Sequence, residues 1–155
     1  MQAKVELPPE AQQFFDALVA EDEERFMAVY GPDVVWFPGS PDWFVPGLDN
    51  ARKSWGEWFA DPPAHFTSWR WIDGPYGERT DDLIWAWGIL EATFDNTATP
   101  PVKGVVQNKR VSWIWRGSGE DWRLAAEHWS RPRRDDYLSE EALDPEMLRY
   151  KRFGE

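Results

Sequence analysis

Three short segments in the second half of the chain each place two tryptophans on either side of a single residue. They are Trp69-Arg70-Trp71, Trp85-Ala86-Trp87 and Trp113-Ile114-Trp115. Side chains on a β-strand alternate between its two faces, so each segment puts both indole rings on one face of a strand. Alternation of this kind predicts four strands, at residues 66–72, 83–93, 104–116 and 121–130. The second half therefore folds as an antiparallel meander, with turns at 73–77, 96–101 and 117–119.

The first half of the chain has a helical period instead. After Pro8-Pro9, apolar residues at helical spacing predict a helix over about residues 9–20. Asp22 can cap a second short helix and Asp49 a third, with a strand at 34–37 between them. Helices followed by a curled antiparallel sheet give an α+β layout, in which the sheet buries one face against the helices. We expect a single domain over residues 1–155, with its core at about 9–132 and a short helix in the charged tail at 133–155.

Size and charge limit what the chain can bind. It has 155 residues, the size of one domain, and a formal net charge of −11. That charge repels nucleic acid phosphates and anionic membranes, so we expect neither as a partner. There is no cysteine, and only His65 and His128 offer imidazoles, which argues against a metal site. No signal peptide or run of roughly 18 to 20 apolar residues is evident, and a cytoplasmic protein is the expectation.

The last two long strands carry a specific pattern of polar residues and tryptophan. Arg110 lies on one strand, Trp122 follows the turn, and His128-x-Ser130-x-Pro132 ends the next strand. With the order of helices and strands, this pattern resembles the SnoaL-like branch of the nuclear transport factor 2-like superfamily over about residues 9–132. It is also similar to the association domain of calmodulin-dependent kinases, another member of that superfamily.

The resemblance implies a cone-shaped fold, in which a curved antiparallel sheet wraps around N-terminal helices and encloses an apolar pocket. Members are often homodimers, and their functions differ widely, from ketosteroid isomerases, polyketide cyclases and dehydratases to non-enzymatic binding and assembly domains. For this chain the resemblance implies acid/base chemistry on a small, largely apolar organic molecule, without a metal or an organic cofactor.

Four polar residues are candidates for catalysis, and each has an ordinary structural alternative. His128 could be a general acid or base, or could only fasten its strand through backbone hydrogen bonds. Arg110 could bind a carboxylate or enolate oxygen, or pair with Glu127 or Asp42. Asp42 could be a base of raised pKa in an aromatic loop, or an ordinary solvated aspartate. Glu91 could be a buried acid, or could mark the exposed end of its strand.

Two groups of side chains are candidates for lining the pocket. The helical wall and the mouth would be formed by the aromatic residues Tyr30, Trp36, Trp43, Trp55, Trp58 and Phe59, some of which must be plain core. Asn108 and Ser112 alternate with Arg110 on one face of their strand, so the three side chains enter the same compartment. Phosphate-binding loops, nucleophile elbows and zinc-binding motifs are missing from the sequence, which argues against nucleotide-dependent enzymes, serine hydrolases and zinc hydrolases.

The tryptophan pairs acquire a separate role if Arg110, Asn108 and Ser112 face the pocket. Alternation then puts Trp113 and Trp115 on the opposite face. We expect the other pairs to join them in an outer aromatic patch made of Trp69, Trp71, Trp85, Trp87, Trp113 and Trp115. Such a patch needs a cover, so the sequence predicts a homodimer through the outer sheet face.

Two functional hypotheses follow from these residues. The first is a cofactor-independent isomerase, cyclase or dehydratase, in which His128, Asp42 or Glu91 moves a proton while Arg110 steadies negative charge. The second is a module of the same fold that only binds a ligand or assembles.

Overall fold

The computed structural model describes residues 3–38 and 44–130, which contain three helices and six strands. In chain order these are α1 (Pro9–Ala20), α2 (Glu23–Met27), β1 (Tyr30–Phe37), β2 (Val45–Pro46), α3 (Leu48–Ala60), β3 (Ala64–Arg79), β4 (Leu83–Asn96), β5 (Val102–Ser118) and β6 (Asp121–Ser130). The strands form one sheet of order β2-β1-β6-β5-β4-β3, in which β1 runs parallel to β6 and all other neighbours are antiparallel. The predicted α+β layout is confirmed. The predicted tail helix lies outside the described residues.

The helices begin where the local sequence favours them. Pro9 occupies the first turn of α1, where a missing N–H costs nothing. Asp22 caps α2 as predicted, since its carboxylate accepts a hydrogen bond from the Arg25 N–H at 3.0 Å. The predicted cap of α3 is wrong: Gly47 stands at that position, and Asp49 lies in the first turn, where its charge favours the helix dipole. None of the helices in the described ranges is long and apolar enough to cross a bilayer.

The predicted turn at residues 73–77 is also wrong. The strand β3 passes through these residues, and its pairing to β4 changes register twice within residues 71–76. Gly74 has a φ of 95°, which suits a bulge as well as it suits a turn. The chain reverses instead just beyond the strand, where the Thr80 N–H donates to the Leu83 carbonyl at 2.8 Å. Turn-forming residues therefore kink one long strand here rather than ending it.

The helices cover one side of the sheet, which we call the inner face. Phe14 and Phe15 of α1 lie against Trp113 of β5, with ring centroids 5.4 and 5.5 Å apart. Trp113 and Trp115 have no exposed surface at all. Because truncating a buried aromatic side chain costs about 3–5 kcal/mol, these contacts decide which face of β5 points inward.

The outer aromatic patch is therefore mostly wrong as predicted. Trp113 and Trp115 are buried, and the inner face also takes Trp69 and Trp71, whose rings contact Phe15 and Trp113. Only Trp85 and Trp87 remain outside, with ring centroids 4.7 Å apart. Trp85 is 46% exposed. The prediction failed because it assumed that Arg110, Asn108 and Ser112 point inward. Burial of the Trp113 and Trp115 rings stabilises the opposite orientation of β5.

Candidate functional site

A cavity of about 530 Å³ lies between α1, α3 and the inner face of the sheet. Its wall is largely aromatic and apolar, with a few polar side chains: Phe14, Leu18, Trp36, Pro38, Val45, Ser54, Trp55, Glu57, Trp58, Pro63, Phe66, Trp69, Lys109, Trp129 and Ser130. This volume is in the range of small-molecule pockets, which are typically about 300–1,000 Å³. The cavity is therefore the main candidate for a binding site in the described part of the chain.

The aromatic wall is held rigid by ring contacts. Trp55 and Trp58 lie three residues apart on α3, so both point to the same side of the helix. The Trp55 ring stacks on Trp36 of β1, with centroids 4.9 Å apart and planes at 16°, and meets Trp58 edge-on at 5.7 Å. Such contacts order the side chains before a ligand arrives.

Two tryptophans of the wall have an indole N–H group without a hydrogen-bond acceptor among the described residues. The indole Nε1 atoms of Trp36 and Trp69 are buried and have no acceptor among the described residues. A buried N–H group without an acceptor costs about 1–3 kcal/mol. The wall therefore favours a ligand that brings an acceptor atom.

A buried carboxylic acid lies behind the cavity wall. Glu127, on the inner face of β6, is 1% exposed and is the only buried acidic or basic side chain among the described residues. One of its oxygens, Oε1, accepts a hydrogen bond from the Tyr30 hydroxyl, and the other, Oε2, accepts one from Trp129 Nε1 at 2.9 Å. Tyr30 itself is buried at the start of β1.

Burial controls the protonation of this pair. It raises the pKa of Glu127 from its ordinary value of 4.5 to about 7, although the hydrogen bonds from Trp129 and Tyr30 favour the ionised form. Burial, and then the charge of Glu127, also raises the pKa of Tyr30 well above 10, so the phenol stays neutral. An indole N–H can only donate, so Trp129 and the Tyr30 hydroxyl both donate to the ionised carboxylate.

The pair is close to the cavity without lining it. Trp129 lines the cavity and binds Glu127, while Phe14 lines it and contacts the Tyr30 ring at 6.4 Å. Sequence reasoning considered Glu127 only as a partner for Arg110. A signal was present, because Glu127 and Trp129 alternate with polar residues along an apolar strand and so share its buried face.

The leading catalytic candidates from the sequence lie on the outer face. His128 is exposed, opposite Ser112 of β5, with its ring edge-on to Phe37 at 6.3 Å. Arg110 is exposed opposite Ile89 of β4. The expectation that these residues enter the pocket is wrong, because alternation turns them away once Glu127 and the tryptophans of β5 point inward.

Glu91 is not a raised-pKa acid. It lies on the outer face, where Arg70 Nε donates to its Oε1 at 2.7 Å, and this hydrogen bond lowers the pKa of Glu91. Asn108, directly opposite Glu91, is half buried on the same outer face, as is Ser112. In the described ranges, no three His, Asp or Glu side chains are grouped so that they could hold a metal ion.

The expected ligand-binding aromatics divide into two groups. Trp36, Trp55 and Trp58 line the cavity, and their contact with a ligand stays a prediction. Phe59 instead packs against Phe26, with ring centroids 5.5 Å apart, and is not part of the lining. Two further candidates, Asp42 and Trp43, lie outside the described residues.

Comparisons with known proteins identify the fold. No protein-family model matches the chain, and no curated protein matches it in sequence. Solved structures do match: a ketosteroid isomerase-like protein from Erwinia carotovora superposes with a TM-score of 0.60 at 21% identity, covering 79% of this chain and 90% of that one. A nuclear transport factor 2-like superfamily protein from Salmonella enterica gives 0.62 at 12% identity, covering 84% and 91%. The chain has the nuclear transport factor 2-like fold.

The expected superfamily fold is thereby confirmed. A third nuclear transport factor 2-like protein, from Pseudomonas putida and of unknown function, superposes with a TM-score of 0.61 at 18% identity, covering 84% of this chain and 87% of that one. Likeness at such identities shows the fold alone, so membership of the SnoaL-like branch stays a prediction. The chemistry of the nuclear transport factor 2-like cavity has to be argued from this chain's own residues.

Glu127 makes stability depend on pH in a defined direction. Its pKa in the folded chain is raised, so its contribution to stability is complete below about pH 4.5 and is lost as the pH rises through about 7. The shift corresponds to about 3 kcal/mol. We expect the free energy of unfolding of Glu127→Gln, relative to wild type, to rise by about that amount between about pH 4.5 and pH 8.5, as measured by urea denaturation. Glu120→Gln, at an exposed turn, is the matched control, and a constant difference for Glu127→Gln would contradict the assignment.

Proposed function

We propose that the protein binds a small, largely apolar organic molecule in this cavity and catalyses a proton transfer on it without a cofactor. Isomerases, cyclases and dehydratases perform reactions of this type. The observation that carries the proposal is the buried Glu127, which has a pKa of about 7. Its carboxyl group lies directly behind the cavity wall, next to the neutral phenol of Tyr30.

The protonation of Glu127 suits either direction of transfer. Near neutral pH its acid and carboxylate forms are both populated, so it can donate or accept a proton with little energetic penalty. The Tyr30 hydroxyl keeps its own proton and steadies the carboxylate between transfers. Trp129 lies between Oε2 and the cavity, so a ligand reaches the carboxylate once that indole ring turns aside. His128 and Arg110 have no part in this version of the mechanism.

The comparisons give this proposal limited support. One similar structure is described as ketosteroid isomerase-like, which is consistent with proton transfer on an apolar molecule. Because the same fold carries many functions, Glu127 supports catalysis more strongly than this likeness does. Membership of the SnoaL-like branch and a cytoplasmic location, both expected from the sequence, belong to the same proposal.

A second candidate is a non-catalytic ligand-binding module. The observation in its favour is that Glu127 is almost completely enclosed, so that a ligand touches it only after the hydrogen bond from Trp129 breaks. Buried carboxylic acids also occur as purely structural groups that fix a core. The two candidates differ in whether the bound ligand exchanges protons with the protein.

Deuterium exchange separates the two candidates. A ligand recovered from freshly purified protein by native mass spectrometry would be returned to the protein in D₂O, and exchange at its acidic C–H positions followed by NMR. We expect wild type to accelerate exchange about 10²–10⁴-fold, the usual contribution of a general acid or base, and Glu127→Gln to lose most of it.

The control for this experiment is a variant that retains binding. Tyr30→Phe removes the hydroxyl that steadies Glu127, so exchange should slow less than in Glu127→Gln while the ligand still binds. A ligand that binds wild type in the cavity without any accelerated exchange would support the binding module and contradict catalysis.

The outer face supports a proposal of homodimer formation. Trp85 and Trp87 lie there, and Val106 and Phe37 are exposed elsewhere on the same sheet face, which no helix in the described ranges covers. Exposed apolar side chains on a sheet face favour association with another protein surface. A stable interface buries about 800 Å² on each partner. A second copy of the chain, docked face to face, provides such a surface.

Light scattering at micromolar concentration tests the dimer. We expect wild type to have twice the chain mass, and Trp85→Glu to shift towards the chain mass because it buries a charge in the interface. Val19→Glu is the matched control, since Val19 is exposed on α1, which covers the opposite side of the sheet. A monomeric wild type would contradict the proposal.

A further inference from the structure

Trp129 contacts both the cavity and the buried acid. Its ring lines the cavity, stacks on Phe14 with centroids 5.9 Å apart, and meets Trp69 edge-on at 5.8 Å. Its Nε1 donates to Oε2 of Glu127 at 2.9 Å. Trp129 is half-buried near the end of β6, whereas Glu127 is 1% exposed. A ligand in the cavity therefore touches the indole ring before it can touch the carboxyl group.

The hydrogen bond to Oε2 is the contact that a ligand disturbs. An indole ring has a single N–H group, which donates to Glu127 in the free protein. A ligand that pushes the Trp129 ring aside, or that takes over its N–H group with an acceptor of its own, breaks this bond. Oε2 then lies at the cavity wall without its donor, where an ionised carboxylate is less stable than the neutral acid.

We propose that Trp129 is a positioning residue that couples ligand binding to protonation of Glu127. A ligand that enters the cavity breaks the hydrogen bond from Trp129, and Oε2 takes up a proton from solvent. One N–H···O hydrogen bond is lost, one O–H bond forms, and the carboxylate becomes the neutral acid. This inference rests on the proposed function, for which it names how the site acquires its proton.

The direction of the coupling follows from the effect of that hydrogen bond. Burial raises the pKa of Glu127 to about 7, and the hydrogen bond from Trp129 opposes this rise. Without the bond the pKa lies higher, so above neutral pH the complex holds more protons than the free protein. By linkage, the affinity for the ligand falls as the pH rises through this range. Below about pH 6 Glu127 is protonated in both states, and the affinity is nearly independent of pH.

Uncharged side chains surround Glu127 and its partners in the core. Four elements supply them: Tyr30 and Trp36 from β1, Trp113 from β5, Phe14 from α1 and Trp55 from α3. The charged side chains of the cavity lining, Lys109 and Glu57, lie on β5 and α3. Trp113 is directly opposite Glu127, and Lys109 is four residues away from it along β5, about 13 Å at about 3.3 Å per residue. Removal of Glu127 alone distinguishes its proton from theirs.

Calorimetry with a neutral probe tests the coupling. 2-Acetylnaphthalene is flat, apolar and uncharged at every pH used, so a proton taken up on binding belongs to the protein. Its binding to the full chain would be measured in phosphate and in Tris, since the difference in binding enthalpy between two such buffers gives the number of protons. We expect wild type to take up about half a proton or more per bound probe at pH 8, and about a tenth or less at pH 6. The affinity should be about fivefold lower at pH 8.

Two variants assign the proton and the coupling. Glu127→Gln removes the titratable group, so the probe should bind without proton uptake at either pH. Trp129→Phe keeps an apolar ring and removes only the N–H donor, so Glu127 is already more protonated before the probe binds. Uptake at pH 8 should fall below about a fifth of the wild-type value, and the titration midpoint of Glu127 in NMR should lie above that of wild type. A merely structural role of Trp129 would not raise that midpoint.

Two further variants serve as controls. Trp58→Phe makes the same change in the same wall, at an indole that is not a hydrogen-bond donor to Glu127, so the number of protons per bound probe should equal that of wild type. Ser54→Phe fills the cavity and should weaken binding of the probe, which places it there.

The outcomes separate the two proposals. Binding to wild type without proton uptake at pH 8, or uptake that persists in Glu127→Gln or in Trp129→Phe, would overturn the coupling and leave the cavity as a binding site. Failure of the probe to bind wild type at either pH, or binding that Ser54→Phe leaves unchanged, would overturn the proposed function as well.

Discussion

The structure depends on the burial of Trp113 beneath α1. Its ring meets Phe14 and Phe15 from the helix and Trp71, Trp115 and Trp129 from the sheet, and none of its surface reaches solvent. A strand has only two faces, so this one placement fixes the direction of every side chain on β5 and, through the pairing of strands, on β4 and β6. Burial of the aromatic surface of Trp113 thus determines both how α1 docks and which face of each strand points inward.

The chemistry of the site follows from the same decision. With Trp113 inward, its cross-strand neighbour Glu127 is also inward, and Lys109 of the same strand enters the cavity. The fold thus buries the carboxyl group of Glu127 against two neutral hydrogen-bond donors, Tyr30 and Trp129. The loss of water around it raises its pKa to about 7. A packing constraint has in this way produced a titratable group poised at neutral pH, beside a cavity of small-molecule size.

Much of the fold was predictable from the sequence. The period of apolar residues predicted α1 and the location of the four long strands, because burial of one face enforces those periods. Asp22 predicted the cap of α2. The turn at 73–77 was not predictable, since Gly74 and its neighbours favour a turn and a bulge for the same reason. The inward face of β5 was predicted wrongly because alternation leaves two choices, and only the docking of α1 distinguishes them.

The candidate site was predictable only in part. Trp36, Trp55 and Trp58 could be assigned to the cavity wall because they follow the periods of their elements. Two of the four catalytic candidates, His128 and Arg110, do not reach the cavity, because both lie on the outer face. Glu127 was missed because its importance comes from burial across several elements, with Tyr30 almost a hundred positions earlier in the chain.

The central claim is that the core holds a carboxylic acid whose pKa lies near neutrality. Its most direct test is a pH titration of the side-chain carboxyl carbon of Glu127, by NMR on protein labelled with ¹³C-glutamate. The resonance would be assigned by its loss in Glu127→Gln. We expect a midpoint of about 7. A midpoint at or below 4.5, the ordinary value for glutamate, would contradict it.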